Sequence, residues 1–340
     1  MRVLLTRLSA LGDIVHTWPL AAALAGQETA VELAWVVEES FLPLVACHPA
    51  VSLAIPVATR RWRRRPLAAA TRKEILAVHR AVRSFAPDLA LDPQGLVKSA
   101  YWGAVARAPQ RVGFSGSHLR ERLAGVFYTR AVTPPPEARH VVDMNLSLLA
   151  AAGLVAPLDA TPDGLFLLHD APGPTPGVTR GTVGLLPATG GPGKAWQVEN
   201  YSALARMLND SGVPVTVVWG PGERVLAERI VADTGARTEL APRTSIPELA
   251  ALMSRFALIV GGDTGPVHLA VSLGVPTVAI FVATDPGRNG PRGMRVRVVS
   301  AGVGRTRRGS ARTTLAGEVA VDAVFRIVGE ELEFSCAAPS

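Results

Sequence analysis

A single carboxylate, Asp13, stands where the first helical segment of the chain begins. A strand is predicted at residues 3–5, the loop Thr6-Arg7-Leu8-Ser9-Ala10-Leu11-Gly12-Asp13 follows it, and a helical pattern starts at Ile14. A carboxylate at the mouth of such a strand-loop-helix unit can take a proton from a hydroxyl group. It can equally serve as a helix N-cap that the helix dipole stabilises. The loop has one glycine where a dinucleotide fingerprint needs three, so the sequence disfavours a hydride-transfer enzyme.

Positive charge is concentrated between residues 60 and 130, which hold fifteen Lys and Arg against four Asp and Glu. Five of these cations form the run Arg60-Arg61-Trp62-Arg63-Arg64-Arg65. Guanidinium groups bind phosphate and carboxylate groups through paired hydrogen bonds, so the run favours a multiply anionic ligand. A solubilising or membrane-steering surface is the alternative. Nucleic acid is disfavoured, because the chain shows neither a recognition helix nor an aromatic stacking sheet.

Two polar side chains, Gln94 and Lys98, follow another predicted strand. They lie in Asp92-Pro93-Gln94-Gly95-Leu96-Val97-Lys98, a pattern typical of a strand end, a turn and a helix start. At that edge of a sheet they can fix hydroxyl or carboxylate groups of a ligand. A turn with a solvated lysine explains the same residues.

Two glycine-containing loops in the second half of the chain suit an anionic ligand. The loop Thr189-Gly190-Gly191-Pro192-Gly193-Lys194 leaves backbone N–H groups open beside a positive charge, although a glycine-rich surface turn explains it equally well. In Gly261-Gly262-Asp263-Thr264-Gly265-Pro266-Val267-His268 a strand ends in two glycines and a helix begins near Pro266. Its first N–H groups favour a diphosphate. Asp263 and His268 can instead be a helix cap and a packed core histidine.

Short apolar strands alternate with amphipathic helices, which predicts parallel sheets covered by helices on both faces. Strands are predicted at 3–5, 31–37, 53–57, 89–91, 111–114, 182–186, 213–219, 258–260 and 277–281, and helices at 14–24, 71–85, 97–106, 198–209, 223–234, 246–255, 266–273 and 318–332. The stretch 171–178 is rich in proline and glycine and predicts a linker. The sequence thus predicts an α/β fold of two doubly wound, Rossmann-like domains, 1–170 and 179–320, that face a cleft. A C-terminal helix and tail at 321–340 are expected to return to the first domain.

Length and composition exclude intrinsic disorder, because 340 residues with 48% hydrophobic content can build two cores. The net charge of +7 favours a polyanionic partner. Two cysteines, Cys47 and Cys336, are too few for a disulfide framework or a zinc site, which is typical of a reduced cytosolic protein. Charged residues interrupt the apolar N-terminus, and the uncharged stretch 264–284 contains Gly274 and Pro276, so neither an export signal nor a membrane-spanning helix is predicted.

The motifs, taken in their order, resemble those of the bacterial lipopolysaccharide heptosyltransferases. The matching segments are Ser9-Ala-Leu-Gly-Asp13, Trp35-Val-Val-Glu-Glu39, Pro56-Val-Ala-Thr-Arg-Arg-Trp-Arg63, Gln94-Gly-Leu-Val-Lys-Ser-Ala100, Lys194-Ala-Trp196, Asp263-Thr-Gly-Pro-Val-His268 and Thr284-Asp-Pro-Gly287. The resemblance covers nearly the whole chain and is weak over the last 35 residues. It implies a fold of the glycosyltransferase-B type. It also implies an inverting transfer of L-glycero-D-manno-heptose from ADP-heptose to the first 3-deoxy-D-manno-octulosonic acid (Kdo) of Kdo2-lipid A, in synthesis of the lipopolysaccharide inner core.

The resemblance also implies roles for individual residues. Asp13 is the implied catalytic base. Donor contacts are implied for Thr189, Gly190, Lys194, Glu223, Thr244, Asp263, Thr264, Gly265 and His268. Acceptor contacts are implied for Arg60, Arg61, Arg63 and Arg64, with Gln94 and Lys98 nearby. No metal or other cofactor is expected beside the co-substrate ADP-heptose, because helix N-termini and basic side chains can carry the leaving diphosphate.

The expected partners are ADP-heptose and Kdo2-lipid A, without nucleic acid. The protein is expected to be a cytoplasmic monomer that binds peripherally to the cytoplasmic face of the inner membrane. One alternative is a neighbouring family member such as heptosyltransferase II, against which the basic run at 60–64 argues, because it would face the phosphorylated end of lipid A. The other alternative is a non-catalytic basic module that binds anionic lipid, which would not require Asp13.

Overall fold

The computed structural model describes residues 1–169, 181–187, 195–301 and 319–337, of which 334–337 are described as backbone. The chain divides into two compact units, Met1–Pro162 and Asp163–Ser340. The predicted linker at 171–178 lies outside the described residues, so its bounds stay a prediction.

The first unit contains one six-stranded parallel sheet. Its strands are β1 (Arg2–Thr6), β2 (Glu32–Glu38), β3 (Leu53–Val57), β4 (Leu89–Asp92), β5 (Gln110–Phe114) and β6 (Arg130–Val132), in the order β3-β2-β1-β4-β5-β6. Its helices are α1 (Leu11–Val15), α2 (Trp18–Ala25), α3 (Pro43–Ala46), α4 (Thr59–Arg64), α5 (Ala69–Phe85), α6 (Val97–Val105) and α7 (Val141–Ala151). Short 3-10 segments lie at Glu39–Phe41, Gly116–His118 and Arg122–Phe127.

The second unit repeats this architecture. Its strands are β7 (Val183–Leu186), β8 (Val215–Val217), β9 (Thr238–Leu240), β10 (Leu258–Gly262), β11 (Thr277–Phe281) and β12 (Val296–Ser300), in the order β12-β11-β10-β7-β8-β9. Its helices are α8 (Val198–Asp210), α9 (Arg224–Thr234), α10 (Ile246–Met253), α11 (Gly265–Ser272), α12 (Pro286–Asn289) and α13 (Val321–Ala337), preceded by a 3-10 segment at Leu165–Leu168. The two parallel sheets confirm the predicted α/β fold class.

Each sheet has a point at which the strand order reverses. In the first unit it lies between the neighbours β1 and β4, and in the second between β7 and β10. Ligands of doubly wound sheets bind outside the carboxyl ends of the strands at such a point. The loops that follow these four strands are therefore the places in which to look for a site.

The central strands are held by burial on both faces. Val3, Leu4 and Leu5 of β1 have no exposed surface, which is the uninterrupted apolar pattern expected of a parallel strand covered by helices. Helix α5 buries Val78, Val82 and Phe85, spaced four and three residues apart on one face.

The C-terminal helix α13 belongs to the core of the second unit. Val324 and Val328, four residues apart, are fully buried in that core, and Trp196 Nε1 donates a hydrogen bond to the carbonyl of Val319 at 2.8 Å. The expected return of this helix to the first domain stays a prediction.

The prediction of one continuous helix near the N-terminus is wrong. The segment predicted as a single helix at 14–24 forms two helices, α1 and α2. Pro19 lies in the first turn of α2, where its missing N–H costs nothing. Inside a continuous helix the same ring would clash with the carbonyl of Val15.

Within the four described ranges, no helix is long and apolar enough to cross a membrane.

Candidate active site

Asp13 lies in the first turn of α1, in the loop that follows β1 at the reversal point of the first sheet. Its Oδ2 accepts a hydrogen bond from Ala10 N at 3.3 Å, which closes the start of the helix. Its Oδ1 lies 2.5 Å from Nη2 of Arg7, and its Oδ2 lies 3.3 Å from Nη2 of Arg120. The Asp13 side chain keeps 23% of its surface exposed. The carboxylate therefore helps to start the helix and is also accessible to a ligand.

The charge state of Asp13 follows from these neighbours. Burial alone would raise the pKa of Asp13, but the positive charges of Arg7 and Arg120 outweigh it, and the pKa is lowered. Burial lowers the pKa of Arg7, and the negative charge of Asp13 opposes this decrease. Because the ordinary pKa of a guanidinium is very high, Arg7 stays protonated. Asp13 is therefore ionised at neutral pH and can accept a proton.

Arg7 ties the loop after β1 to the loop after β4. Its side chain is 2% exposed, and its Nη1 donates to the carbonyl of Pro93 at 2.6 Å. Beside it, Leu8 N donates to Oε1 of Gln94 at 2.8 Å. A buried charge is costly unless it is paired and hydrogen-bonded. Arg7 is paired with Asp13 and bonded through Nη1, while its buried Nε has no hydrogen-bond partner among the residues that the structure describes. Gln94, predicted as an acceptor contact, is itself buried and holds the Asp13 loop in place.

The loop after β4 is in turn held by the buried carboxylate of Asp92. Its oxygens accept hydrogen bonds from Tyr128 Oη at 2.7 Å, Ser99 Oγ at 2.9 Å and Gln94 N at 2.9 Å. Burial raises the pKa of Asp92, and these donors oppose the rise. The network links β4, the start of α6 and the segment before β6.

Arg120 reaches Asp13 because its loop is anchored on Gly95. The backbone N–H groups of Arg120 and Glu121 both donate to the carbonyl of Gly95, at 3.1 and 3.0 Å. Gly95 has a φ of +68°, a conformation that favours glycine. The turn after β4 therefore positions Gln94 and the second cation of Asp13 together.

The predicted arginine run forms α4, a short helix whose start is held by Glu38. Thr59 Oγ1 and Arg60 N donate to this buried carboxylate at 2.5 and 3.2 Å. Arg60, Arg63 and Arg64 are exposed.

Lys98 lies close enough to α4 for its charges to shift the pKa of Lys98. Burial lowers this pKa, and the positive charges of Arg63 and Arg60 also lower it, whereas the negative charge of Glu38 raises it. The structure thus brings Lys98 near the exposed arginines of α4.

Arg61 differs from the other arginines of α4. Its Nη2 lies 2.9 Å from Glu39 Oε2 and its Nη1 lies 2.8 Å from Glu74 Oε1, so both ends of the guanidinium are engaged within the protein. These two carboxylates raise the pKa of Arg61 above its usual range. Its predicted contact with an acceptor stays a prediction.

In the second unit, Asp263 and Thr264 follow β10 at the reversal point of the sheet. Thr284 Oγ1 donates to Asp263 Oδ2 at 2.7 Å, and His268 Nε2 lies 3.6 Å from Asp263 Oδ1. Helix α11 begins at Gly265 with Pro266 in its first turn. The start of an eight-residue helix therefore lies beside a carboxylate, a hydroxyl and a buried imidazole.

The other predicted donor contacts are distributed differently. Glu223 is the N-cap of α9, and its Oε2 accepts a hydrogen bond from Gly220 N at 2.8 Å. Thr244 lies half-buried in the loop before α10. Thr189, Gly190 and Lys194 lie outside the described residues, in the segment that follows β7. These donor assignments stay predictions.

Sequence reasoning missed several residues that position the candidate site. Those that hold the Asp13 loop are Arg7, Arg120, Asp92 and Tyr128, and in the second unit Thr284, which binds Asp263, was missed as well. Arg7 follows β1 directly, and Asp92 ends β4, so their positions at the carboxyl ends of strands were a usable signal. Arg120 and Tyr128 are distant in sequence from their partners Asp13 and Asp92, and no local sequence pattern predicts those contacts.

No group of three or more His, Cys, Asp or Glu side chains able to hold a metal ion occurs in the described part of the chain. That the reaction needs no metal stays a prediction.

Comparison with known proteins identifies the class of enzyme. Residues 75–316 match the sequence pattern of Glycosyltransferase family 9 (heptosyltransferase). The chain is 34% identical to lipopolysaccharide heptosyltransferase 1 of Pseudomonas aeruginosa, over 86% of this chain and 82% of that protein. It is 32% identical to lipopolysaccharide heptosyltransferase 1 of Escherichia coli K12, over 88% of this chain and 94% of that protein.

A solved structure supports the same assignment. The E. coli heptosyltransferase WaaC with ADP aligns with a TM-score of 0.81 at 30% identity, and covers 97% of this chain and 100% of that chain. The chain therefore belongs to glycosyltransferase family 9, the heptosyltransferases. It is a glycosyltransferase, and the alternative of a non-catalytic lipid-binding module is not favoured.

Proposed function

We propose that this protein transfers L-glycero-D-manno-heptose from ADP-heptose to the first Kdo of Kdo2-lipid A, with Asp13 as the general base. The observation that carries the proposal is the ionised, partly exposed Asp13 carboxylate, held by two guanidinium groups at the reversal point of the first sheet. Its family membership supports the reaction class, and a solved relative, E. coli WaaC, was crystallised with ADP-2-deoxy-2-fluoro heptose.

In the proposed reaction, Asp13 takes the proton of the attacking Kdo hydroxyl. The hydroxyl oxygen forms a bond to the anomeric carbon of heptose, and the bond from that carbon to the diphosphate oxygen breaks. The electron pair of the broken bond leaves with ADP, and attack from the opposite side inverts the anomeric configuration. Because Arg7 and Arg120 lower the pKa of Asp13, the base is fully deprotonated but weak, so proton transfer depends on accurate positioning.

On this proposal the second unit binds the donor. The start of α11 provides backbone N–H groups and the positive end of a helix dipole, which favour a diphosphate. Thr189, Gly190 and Lys194 are further proposed donor contacts, and Lys194 would add a positive charge as ADP leaves. These groups can stabilise the leaving group electrostatically, so we expect the rate to be independent of metal ions.

The exposed arginines of α4, together with Lys98, are the proposed binding groups for the anionic acceptor. The acceptor is a membrane lipid, and exposed arginines attract anionic surfaces. We therefore expect a monomer that works peripherally at the cytoplasmic face of the inner membrane.

The reaction can be tested with the two proposed substrates. Purified protein is incubated with ADP-heptose and Kdo2-lipid A, ADP release is followed, and the lipid is analysed by mass spectrometry. We expect one heptose added for each ADP released, at the same rate in EDTA. A folded protein that leaves Kdo2-lipid A unmodified, but modifies a lipid already carrying its first heptose, would reassign it to the next transfer step.

A further inference from the structure

An apolar groove in the first unit is not used by the proposed reaction. It lies between the edge strand β3 and the helices α4 and α5, and has a volume of about 370 Å³. Ten of its thirteen lining residues are apolar, among them Ile55, Trp62, Val78 and Ala81. Its volume and its mainly apolar lining are those of a small-molecule binding site.

The shape of the groove follows from small side chains on one face of α5. Ala77 and Ala81 are one helical turn apart and both line the groove opposite β3. At roughly 30 Å³ for a group the size of one water molecule, a volume of about 370 Å³ accommodates an alkyl chain of roughly twelve carbons.

The polar groups at the rim satisfy one another. Arg61 lies 2.9 Å from Glu39 and 2.8 Å from Glu74, and Trp62 Nε1 donates to Glu74 at 2.7 Å. The guanidinium of Arg61 at the rim is therefore already paired with two carboxylates and is not available to an anion. The lining below the rim is apolar. This explains why Arg61 differs from the exposed arginines beside it.

The edge strand itself disfavours a peptide as the occupant. Pro56 lies inside β3 and has no N–H to donate to an added strand. Proline at such a position is a usual protection of sheet edges against strand addition. The groove thus favours an occupant that needs no backbone hydrogen bonds.

The short helix α4 contributes an apolar side chain to the groove and charged side chains to the surface. Helix α4 contributes Trp62 to the groove, while Arg60, Arg63 and Arg64 are exposed to solvent. Cations beside an apolar groove complement a ligand that joins phosphate groups to an alkyl chain. We propose that the groove binds one acyl chain of the lipid acceptor while the exposed arginines bind its phosphates. The identity of that lipid rests on the proposed function.

The kinetic test fills the groove and compares two acceptors. Ala77→Phe and Ala81→Phe are assayed with Kdo2-lipid A and with its fully deacylated form, below the concentration at which micelles form. We expect the KM for the acylated acceptor to rise about tenfold, with kcat and the KM for the deacylated acceptor unchanged. Ala22→Phe, at an exposed alanine on α2, is the matched control. Equal KM changes for both acceptors, or no change, would overturn the proposal.

A second test does not depend on transferase activity. Dodecanoic acid carrying a photoreactive diazirine is cross-linked to the protein, and the labelled peptides are identified by mass spectrometry. We expect labelling of β3 and α5 that Ala77→Phe abolishes and Ala22→Phe preserves. Labelling elsewhere overturns the groove assignment even if heptose transfer is confirmed. Labelling in the groove by a protein that transfers no heptose would instead refute the proposed function alone. A concentration-dependent dimer that Ala77→Phe abolishes would assign the groove to a second copy of the chain.

Discussion

As the proposed general base, Asp13 must meet two requirements that oppose each other. A general base must be deprotonated at the working pH, and it must also bind a proton in the transition state. Arg7 and Arg120 secure the first requirement by lowering the pKa of Asp13, and they weaken the second. Arg7 is buried and also anchors the loop, whereas Arg120 is 39% exposed. Arg120 is therefore the cation whose removal isolates the electrostatic effect.

Replacing Arg120 by Ala should move the acid limb of kcat/KM to higher pH. If Asp13 is the base, it acts in its deprotonated form, so activity falls as pH falls through its pKa, and removing a nearby positive charge raises that pKa. The measurement is kcat/KM against pH, with circular dichroism recorded at each pH to verify folding. Arg120→Lys should retain the wild-type profile, as should Arg122→Ala at an exposed neighbour. An acid limb that stays in place for Arg120→Ala would mean that Asp13 is not the titrating base.

Replacing Thr284 by Val should weaken ADP binding by about tenfold. The change removes the 2.7 Å hydrogen bond to Asp263, and hydrogen bonds to charged groups contribute roughly 1.5–3 kcal/mol. Without it, the loops after β10 and β11 lose a direct connection beside the start of α11. Titration calorimetry with ADP measures the effect, and Thr284→Ser, which retains the hydroxyl, should restore affinity. Wild-type ADP affinity in the Val variant would remove this contact from the donor site.

At the scale of elements, the packing of β5 controls the network around Asp92. A Cβ placed on Gly113 would lie 2.2 Å from Cζ of Tyr128, so only glycine leaves room for that ring. The ring must lie there for the Tyr128 hydroxyl to donate its hydrogen bond to Asp92. Asp92 in turn accepts a hydrogen bond from Gln94 N, and the side chain of Gln94 accepts one from Leu8 N in the Asp13 loop. A glycine in a strand thus supports the active-site loop from a distance.

Replacing Gly113 by Ala should lower the free energy of unfolding by roughly 2 kcal/mol, because it overpacks the strand and displaces a buried hydrogen-bond donor. Urea denaturation followed by circular dichroism measures the change, and kcat should fall with it. The control is Gly26→Ala, whose added Cβ would meet nothing closer than 3.7 Å. If Gly113→Ala unfolds like the control, Tyr128 can reach Asp92 by another packing.

The sequence predicted largely apolar strands better than short or polar ones. Strand β3, at the edge of its sheet, and strand β11 match their predicted bounds, because each is a largely apolar run that directly follows Ser52 or Pro276. The three-residue strands β6 and β9 were missed, because Arg130–Val132 and Thr238–Leu240 lack such a run. Helix α4 was missed as well, since it buries only Trp62 and shows no apolar period.

At the scale of the whole molecule, both sheets follow the same strand order, and the predicted residues after β1, β4 and β10 fall at their reversal points. Alternation of strands and helices was enough to predict that arrangement. The pairing of Arg120 with Asp13 was not predictable, because the two side chains lie 107 residues apart in sequence. Local patterns therefore located the carboxylate of the candidate site, and tertiary packing sets the direction in which its pKa is shifted.

Replacing Arg60, Arg63 and Arg64 together by Ala should raise the acceptor KM by about a hundredfold while the ADP-heptose KM stays nearly unchanged. These side chains are exposed on α4 in the first unit, whereas the proposed donor groups belong to the second. Initial rates are measured in detergent, with acceptors that carry or lack the lipid A phosphates. The charge-matched control replaces Arg72, Lys73 and Arg80 on α5, all exposed. Equal losses in the two triple variants would indicate general attraction to anionic surfaces instead of recognition.

The most direct measurement compares heptose transfer by the wild-type protein and by Asp13→Asn. Product is quantified by mass spectrometry with saturating ADP-heptose and Kdo2-lipid A, and ADP affinity is measured by calorimetry on the same preparations. If Asp13 takes the proton of the attacking hydroxyl, kcat should fall by at least about a few hundredfold while ADP affinity stays within about twofold. A folded Asp13→Asn protein that transfers heptose at a rate near that of the wild type would contradict the account and leave Asp13 as a helix cap.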